Sequence, residues 1–215
     1  MDRYALVAPI YDLCTAVLTG GAIWRSRVCQ LEVLEPGQHV LFAGGGTGRA
    51  AVEAARRGLR VTLVDRSPAM LARARRRAAR AGVTVTCIEA DLATWFPPEP
   101  PDAVCANHLF NVFDTRTMLR MRKRLVQYLE QGGWLLVADF RPQEGPVWHR
   151  LLQRVHHWFP LNGCSLLTRG AHHGIYDHNR FAARFAGTRV RDHRIAALGP
   201  AWYRTWFIPV APQQP

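Results

Sequence analysis

Three features of this sequence have the residue types and the spacing to hold a nucleoside. The first is a glycine-rich turn after an apolar segment, in the run Val40-Leu-Phe-Ala-Gly-Gly-Gly-Thr-Gly48. Glycines carry no Cβ atoms, so a ligand can lie against the backbone there. The other two are carboxylates, Asp65 and Asp91, which follow the next two apolar segments. The first can accept both hydroxyls of a ribose and the second the amine of an adenine, which predicts a nucleoside-containing cofactor.

The glycine spacing distinguishes two kinds of cofactor site. The dinucleotide fingerprint G-x-G-x-x-G fails from Gly44, because position 49 is arginine, and it fits only if Ala43 replaces the first glycine. The pattern G-x-G-x-G is met by Gly44, Gly46 and Gly48. The ligand therefore depends on what else the fold brings to this turn.

Alternating strands and helices must bring these residues together. Strands are predicted at His39–Ala43, Arg60–Val64, Val83–Ile88, Ala103–Ala106 and Trp134–Phe140. Helices are predicted at Arg49–Arg57, Pro68–Ala81 and Thr115–Glu130. Such alternation predicts a parallel sheet with helices on both faces and a ligand at the carboxyl ends of the strands.

The C-terminal third departs from this alternation. Thr188–Ala196 and Trp202–Val210 predict an antiparallel pair of closing strands, after a short helix at Tyr176–Phe185. The amphipathic stretch Pro146–Phe159 predicts a helix that packs in the core or roofs the site as a lid. The expected fold class is therefore α/β: a Rossmann-like, doubly wound sheet of about seven strands, mostly parallel, with N-terminal and inserted lid helices.

Length and composition favour one globular domain. The 215 residues are 48% hydrophobic, which suits a single domain with a sizeable core. Its expected parts are an N-terminal helical cap (1–30), a cofactor-binding core (37–140), a lid or acceptor insertion (146–185) and the closing strands (186–212). The five cysteines are scattered without a C-x-x-C pair, which argues against a zinc site and against a disulfide framework.

The charge of the chain indicates the kind of partner. The net charge is +12 and comes nearly all from arginine, since Lys123 is the only lysine. A basic surface favours nucleic acid, acidic lipid headgroups or an acidic substrate. No apolar run reaches the ~20 residues of a membrane span, and the N-terminus lacks the core of a signal peptide. We expect a cytoplasmic protein, which Arg150 and Arg154 would bring to an anionic membrane as a peripheral contact. The oligomeric state is left open.

Taken together, these segments resemble the class I S-adenosylmethionine-dependent methyltransferases, from about Tyr4 to Phe140. Val40–Gly48 matches the first motif of the family, Val64–Leu71 is similar to its ribose-binding segment, and Ala90–Leu92 matches its adenine segment. The resemblance implies methyl transfer from S-adenosylmethionine, with S-adenosylhomocysteine as product. The residues that it implies at the cofactor are Tyr11, Ala43, Gly44, Gly45, Gly46, Gly48, Asp65, Arg66, Met70, Asp91, Leu92 and Asn107.

Within that class, the N-terminal segment resembles the ubiquinone/menaquinone C-methyltransferase group. Ala8-Pro-Ile-Tyr-Asp12 and Thr19-Gly-Gly21 carry the likeness, together with Gly-Gly-Thr-Gly at Gly45–Gly48. The group's His-Arg after the N-terminal glycines is Ile23-Trp24 here. Small phospholipid N-methyltransferases share a similar Ala-Pro-x-Tyr-Asp opening. The resemblance implies a small, hydrophobic acceptor, either quinone-like, a lipid or another secondary metabolite.

Phe42 is the sharpest departure from the family pattern. Members of the family usually have Asp or Glu at this position, near the methionine end of the cofactor, and phenylalanine cannot accept a hydrogen bond from an ammonium group. Loss of one charge-assisted hydrogen bond costs about 1.5–3 kcal/mol. Tyr11, backbone carbonyls of the glycine turn or Asn107 are the possible substitutes. The alternative is a methyltransferase-like protein with altered or lost activity.

The loop after the fourth strand supplies the candidate for proton transfer. It has the sequence Asn107-His-Leu-Phe-Asn111, and in the family this loop lies beneath the transferring methyl group. Imidazole titrates near neutral pH, so His108 is the candidate general base, and a structural histidine is the alternative. The loop lacks Asn-Pro-Pro-Tyr, which clamps planar amines in many adenine methyltransferases. This argues against nucleic acid as the acceptor and leaves an RNA methyltransferase, suggested by the charge alone, as an alternative.

The remaining histidines are clustered but do not predict a metal site. His156-His157 and His172-His173 are adjacent pairs, accompanied by His149 and His178. Adjacent residues point to different faces of a helix or strand, and no i, i+4 pair has a supporting carboxylate at family spacing. No metal ligand is therefore predicted.

Overall fold

The computed structural model describes residues 12, 16–17, 19–129, 131–141, 146–148, 150–154, 174–195 and 201–212. Its strands are β1 His39–Ala43, β2 Arg60–Asp65, β3 Thr86–Glu89, β4 Ala103–Asn107, β5 Gly133–Phe140, β6 Arg189–Arg194 and β7 Ala201–Val210. Its helices are α1 Ala22–Val28, α2 Arg49–Arg56, α3 Pro68–Ala81, α4 Thr115–Gln127 and α5 Asn179–Ala182, with 3₁₀ turns at Cys29–Val33 and Phe110–Val112.

The strands form one seven-stranded sheet in the order β3-β2-β1-β4-β5-β7-β6. The first five strands are parallel, whereas β7 runs antiparallel to both β5 and β6. The strand order reverses between β1 and β4, which is where ligands bind in doubly wound sheets. The predicted fold class is confirmed.

Two apolar layers cover the sheet, one on each face. All five residues of β1 are buried, and they alternate between the layers. Leu41 and Ala43 belong to the layer beneath α4 and α5, and Val40 and Phe42 to the layer beneath α2 and α3. A central strand covered on both faces explains why this segment is apolar throughout.

Local sequence sets the ends of α3. The Ser67 hydroxyl accepts from the Met70 amide at 3.2 Å, and Pro68 occupies the first turn. Gly82 ends the helix with a φ of 65°, in the left-handed region that glycine tolerates. The Val83 amide then donates to the Ala78 carbonyl.

Three predicted elements differ from the structure by three residues at one end or at both. The third strand begins at Thr86 instead of Val83, because the cap of α3 already uses the Val83 amide. Helix α4 ends at Gln127 instead of Glu130. Helix α5 keeps only Asn179–Ala182 of the predicted Tyr176–Phe185, since the Tyr176 side chain donates to the Phe113 carbonyl from a non-helical segment.

Candidate cofactor and acceptor site

The glycine turn satisfies its own amides within the protein. The Gly44 and Gly45 amides donate to the Val64 carbonyl at 2.8 and 3.3 Å, and the Gly46 amide donates to Asp65 Oδ2 at 2.8 Å. A pyrophosphate is bound by amides that remain available to it. The turn therefore suits the close approach of an uncharged nucleoside more than the capture of a phosphate.

Gly46 is the position in this turn that leaves space for a ligand. A Cβ atom at Gly44 would lie 2.7 Å from Leu109 Cδ1, and one at Gly48 would lie 2.6 Å from Ala74 Cβ. At Gly46, by contrast, nothing lies within 4 Å of the position that a Cβ would take, and φ is +56°. Gly48 is thus required by packing, and Gly46 by its φ and by the gap beside it.

Asp65 lies at the carboxyl end of β2, directly beside that gap. Its Oδ2 accepts from the Gly46 amide, and its Oδ1 accepts from the Ser67 amide at 2.9 Å. These two backbone hydrogen bonds orient the group, and a carboxylate has about four acceptor positions in all. The turn and the start of α3 together hold this carboxylate at the edge of the sheet.

The segment after β3, predicted to bind adenine, is more exposed. Asp91 Oδ1 accepts from the Ala93 amide at 2.9 Å, and its Oδ2 lies 3.8 Å from Nη1 of Arg66. Leu92 and Met70 are both buried. The Leu92 side chain belongs to the core, and its carbonyl accepts from the Tyr128 hydroxyl. Of these residues, Asp91 and Arg66 present exposed polar groups, whereas Leu92 and Met70 are buried.

Asn107 and His108 follow at the end of β4. Asn107 Oδ1 and both ring nitrogens of His108 are buried, and none of them has a hydrogen-bond partner among the described residues. His108 also has a φ of 53°, a conformation that is uncommon outside glycine and concentrates at functional sites. Its ring contacts the rings of Phe140 and Tyr203, at centroid distances of 5.3 and 6.0 Å, and those two rings also contact each other at 5.6 Å.

The surroundings of His108 keep its imidazole neutral. Burial lowers its pKa from 6.5 to about 3, and the positive charge of Arg27 acts in the same direction. The carboxylate of Asp139 opposes both effects. At physiological pH the ring is therefore unprotonated, with one nitrogen able to accept a proton.

A buried polar network adjoins His108, and the sequence did not predict it. Asp139 Oδ2 lies 3.1 Å from His178 Nε2, and His178 Nδ1 lies 2.5 Å from Arg122 Nη2. All three side chains are buried. Burial lowers the pKa of His178, an effect that its hydrogen bond to Asp139 opposes. A carboxylate within the apolar run of β5 is the one local signal that could have indicated this network.

Phe42 lies in the apolar layer and not among polar groups. It is 1% exposed and belongs to the same buried cluster as Ala51, Leu63 and Cys105. A Cβ atom added at Gly45 would lie 3.2 Å from the Cβ atom of Phe42, so Phe42 lies directly beneath the turn. An acid at this position would be surrounded by hydrocarbon.

The N-terminal motif reaches the glycine turn through Asp12. Its carboxylate lies 2.5 Å from Arg77 Nη2 and accepts from the Thr47 hydroxyl at 2.9 Å. Arg77 Nη1 also donates to the Thr47 carbonyl at 2.7 Å. Tyr11, which precedes this aspartate, lies outside the described residues, as do most of the clustered histidines: His149, His156, His157, His172 and His173.

The segment predicted as a lid helix is helical at 147–148 and 150–154. Four of its apolar side chains are 50–71% exposed: Val147, Trp148, Leu151 and Leu152. Gln153 is buried instead and donates to the Arg141 carbonyl at 2.9 Å. These four side chains are therefore not packed in the core, and the alternative of a lid stays a prediction. Among the described residues, no helix is long and apolar enough to cross a membrane.

Comparison with known proteins places this site in a family. A family model described as a methyltransferase domain matches residues 40–133. A demethylmenaquinone methyltransferase of Thermus thermophilus is 36% identical over 162 residues, which cover 71% of this chain and 72% of that protein. The chain therefore belongs to the class I S-adenosylmethionine-dependent methyltransferases. The predicted enzyme class and the predicted cofactor are confirmed.

Within the class, the chain resembles the ubiquinone/menaquinone C-methyltransferase group, as the N-terminal motif predicted. The ubiquinone/menaquinone biosynthesis C-methyltransferase UbiE of Paracoccus denitrificans is 30% identical over 162 residues, 70% of this chain and 62% of that protein. The chain thus spans under two thirds of the length of this relative.

A solved structure supports the fold. The 1,6-didemethyltoxoflavin-N1-methyltransferase of Burkholderia thailandensis, with its substrate and S-adenosylhomocysteine bound, has a TM-score of 0.67. The match covers 97% of this chain and 87% of that one at 16% identity. At this identity the likeness concerns the fold alone.

Proposed function

We propose that this enzyme transfers the methyl group of S-adenosylmethionine to a small, hydrophobic, quinone-like acceptor. The observation that carries the proposal is an aromatic wall, formed by the adjacent rings of Phe140 and Tyr203 beside a buried His108. Flat apolar rings suit an aromatic acceptor and exclude water from the reacting atoms. The similarity to a demethylmenaquinone methyltransferase supports the same acceptor class.

The residues present fit the cofactor. In this assignment the adenosine lies against Gly46, Asp65 accepts the ribose hydroxyls, and Asp91 accepts the adenine amine. Asn107 Oδ1, a buried acceptor with no hydrogen bond among the described residues, takes the ammonium group in place of the acid that Phe42 replaces. When bound, S-adenosylmethionine supplies a methyl group activated by its sulfonium.

The protein contributes position and a proton acceptor. The acceptor atom must lie in line with the sulfur–methyl bond, which the aromatic wall and the end of β4 enforce by shape. An acceptor that gains a methyl group must lose a proton to keep its charge. His108, neutral at physiological pH, takes that proton on a ring nitrogen, so that one O–H or C–H bond breaks and one N–H bond forms.

The exposed apolar face of the segment 146–154 supports a peripheral contact with membrane, where quinones reside. Val147, Trp148 and Leu151 are at least 60% exposed, and Arg150 and Arg154 are exposed on the same segment. Apolar side chains with flanking arginines bind the interface of anionic bilayers. The acceptor would then reach the site from the bilayer.

An RNA acceptor is the second candidate, and one surface feature favours it. A groove of about 390 Å³ between α2 and α3 is lined by six arginines: Arg49, Arg56, Arg73, Arg76, Arg77 and Arg80. The Arg49 guanidinium stacks on Trp24 at 4.1 Å from the ring centroid. Arginines beside an aromatic ring can hold single-stranded nucleic acid. Binding to RNA would then weaken steeply with salt.

Two measurements test the proposal, the first for the cofactor and the second for the acceptor. Calorimetry with S-adenosylmethionine should show saturable binding, which Asp65→Ala weakens at least tenfold through the lost ribose bonds. Glu89→Ala is the matched control, because Glu89 is the exposed acid paired in register with Asp65 on the next strand. No binding up to millimolar cofactor would contradict the assignment.

Turnover is then measured with a ring-demethylated naphthoquinol in anionic vesicles, in neutral vesicles and in detergent, and with an RNA oligonucleotide. Methylation of the quinol, fastest in anionic vesicles, is the expected result. Cofactor binding with methylation of RNA and not of quinol would replace the first acceptor by the second. Cofactor binding without turnover of either would favour the alternative of altered activity.

A further inference from the structure

The buried side chains beside His108 have a defined order of donors and acceptors. A guanidinium can only donate, so Arg122 donates to His178 Nδ1, which must be unprotonated. The proton of the neutral His178 ring is therefore on Nε2, and it points to Asp139 Oδ2 at 3.1 Å. The tautomer of His178 is thus fixed by Arg122 on one side and Asp139 on the other.

Both carboxyl oxygens of Asp139 accept hydrogen bonds in this arrangement. Its Oδ2 accepts from His178, and its Oδ1 accepts from the Phe140 amide at 2.8 Å. A buried carboxylate is stable only when such bonds and a nearby cation, here Arg122, offset its desolvation.

The Asp139 carboxylate faces His108. Its Oδ1 lies 3.7 Å from His108 Nδ1, just outside hydrogen-bonding range. Three charged or titratable groups act on the His108 ring: Arg27, Asp139 and His178. Of these three groups, Asp139 presents a hydrogen-bond acceptor to His108 Nδ1. The neutral His108 ring is therefore expected to carry its proton on Nδ1 and not on Nε2.

We propose that Arg122 and His178 are positioning residues, which hold Asp139 so that it keeps the His108 proton on Nδ1 and leaves Nε2 to accept the substrate proton. The inference rests on the proposed role of His108 as the base. When Nε2 accepts that proton the ring becomes an imidazolium, and the Asp139 carboxylate stabilises its charge. The acceptor loses one proton and gains one methyl group, so its charge is unchanged.

The carboxylate beside His108 affects how well this ring can act as a base. A base accepts protons best when its pKa is near the working pH, whereas burial and Arg27 bring the pKa of His108 to about 3. A carboxylate that moves into hydrogen-bonding range would raise it again. The His108 ring lies beside Asp139 with its own backbone at φ 53°, a conformation that is uncommon outside glycine.

The first test reads the tautomers directly and needs no substrate. Long-range ¹H–¹⁵N spectra of the full chain with labelled histidine report which ring nitrogen carries the proton. We expect Nε2–H for His178 and Nδ1–H for His108, and we expect Asp139→Asn, a near-isosteric change, to alter the His108 signals. An Nε2–H tautomer of His108 in the unmutated protein would overturn the proposal.

The second test separates positioning from structural support. His178→Leu should lower kcat at least tenfold, with the cofactor Kd changed less than twofold, because the network touches the base and not the cofactor. His178→Gln should restore part of the rate, since its amide can accept from Arg122 and donate to Asp139. An equal loss for His178→Gln, or a parallel loss of cofactor affinity, would contradict a positioning role.

His193→Leu is the matched control for loss of a buried histidine. His193 hydrogen-bonds to Thr205 in the closing strands, at 3.0 Å, and has no part in the site. Its replacement should lower stability without lowering kcat. If the unmutated enzyme methylates no quinol, the proposed acceptor fails while the tautomer experiment still decides the order of this network.

Discussion

In the proposed site, backbone amides hold the side chains assigned to the cofactor, whereas the side chains assigned to the acceptor side hold one another. Asp65 is oriented by the amides of Gly46 and Ser67. His178 is oriented by Arg122 and Asp139, which come from different elements. The two sides share one edge of the sheet but differ in how their geometry is specified.

The two sides should therefore differ in the substitutions that they tolerate. Every residue except proline has a backbone N–H, so the proposed cofactor side depends on turns and helix starts that a few short motifs encode. The acceptor side depends on the identity of each member, because a missing member leaves a buried polar group unsatisfied. A family can therefore keep one cofactor side while its acceptor sides diverge.

The largest expected effect concerns Phe42, which is buried in the apolar layer beneath the glycine turn. Phe42→Asp should lower the free energy of unfolding by at least about 4 kcal/mol, because it removes a fully buried ring and leaves a carboxylate in the apolar layer. Urea unfolding measures this loss. Cofactor affinity should not rise, since the side chain at 42 belongs to the core.

Phe42→Leu is the control, with an expected loss of about 1–2 kcal/mol and unchanged cofactor affinity. A gain of affinity and activity in a stably folded Phe42→Asp variant would show that the family's acid is compatible with this core. Our assignment of Asn107 as the substitute would then lose its basis.

Much of the fold was predictable, because its signals are local. The apolar run before the glycines and the caps of α3 lie within a few residues of what they specify. The start of β3 was not, since the bond from the Val83 amide to the Ala78 carbonyl competes with the strand ladder. The exposure of the 147–152 face was not predictable either, because helical spacing does not indicate which face is covered.

The site divides in the same way. Asp65 and Asp91 follow strands directly, so their places at the carboxyl edge could be predicted from the alternation of elements. Arg122 and His178 carry no local signal, and their contact depends on how α4 and the residues before α5 pack over β5. His108 could be named, but its burial and low pKa come from neighbours distant in sequence.

A smaller effect should distinguish two glycines of the turn. Gly46→Ala introduces a side chain at φ +56° in open space, so it should cost about 1–2 kcal/mol of stability and weaken cofactor binding at least tenfold. Gly48→Ala should cost more stability, through its contact with Ala74, and less affinity. Thermal unfolding and calorimetry on both variants measure the two quantities, and equal effects on affinity would remove Gly46 as the position of closest approach.

The smallest effect is the acid sensitivity that buried histidines confer on the acceptor side and the closing strands. Burial, with the charges of Arg191 and Arg25, lowers the pKa of His193 from 6.5 to about 4, against the opposing charges of Asp192 and Glu32. Between these values the unfolded chain binds a proton that the folded protein does not. Stability from this group is therefore complete above pH 6.5 and is lost as the pH falls towards 4.

His193→Gln should remove that contribution while its amide keeps a hydrogen bond to Thr205. Urea unfolding at pH 7.5 and 5.5 should show a smaller loss of stability in the variant, by about 1 kcal/mol or less after allowance for screening by solvent. Part of the slope should remain, because burial also lowers the pKa values of His108 and His178. Parallel stability curves for the variant and the unmutated protein would show that His193 is protonated alike in both states, and that the acid sensitivity is confined to the network beside the acceptor.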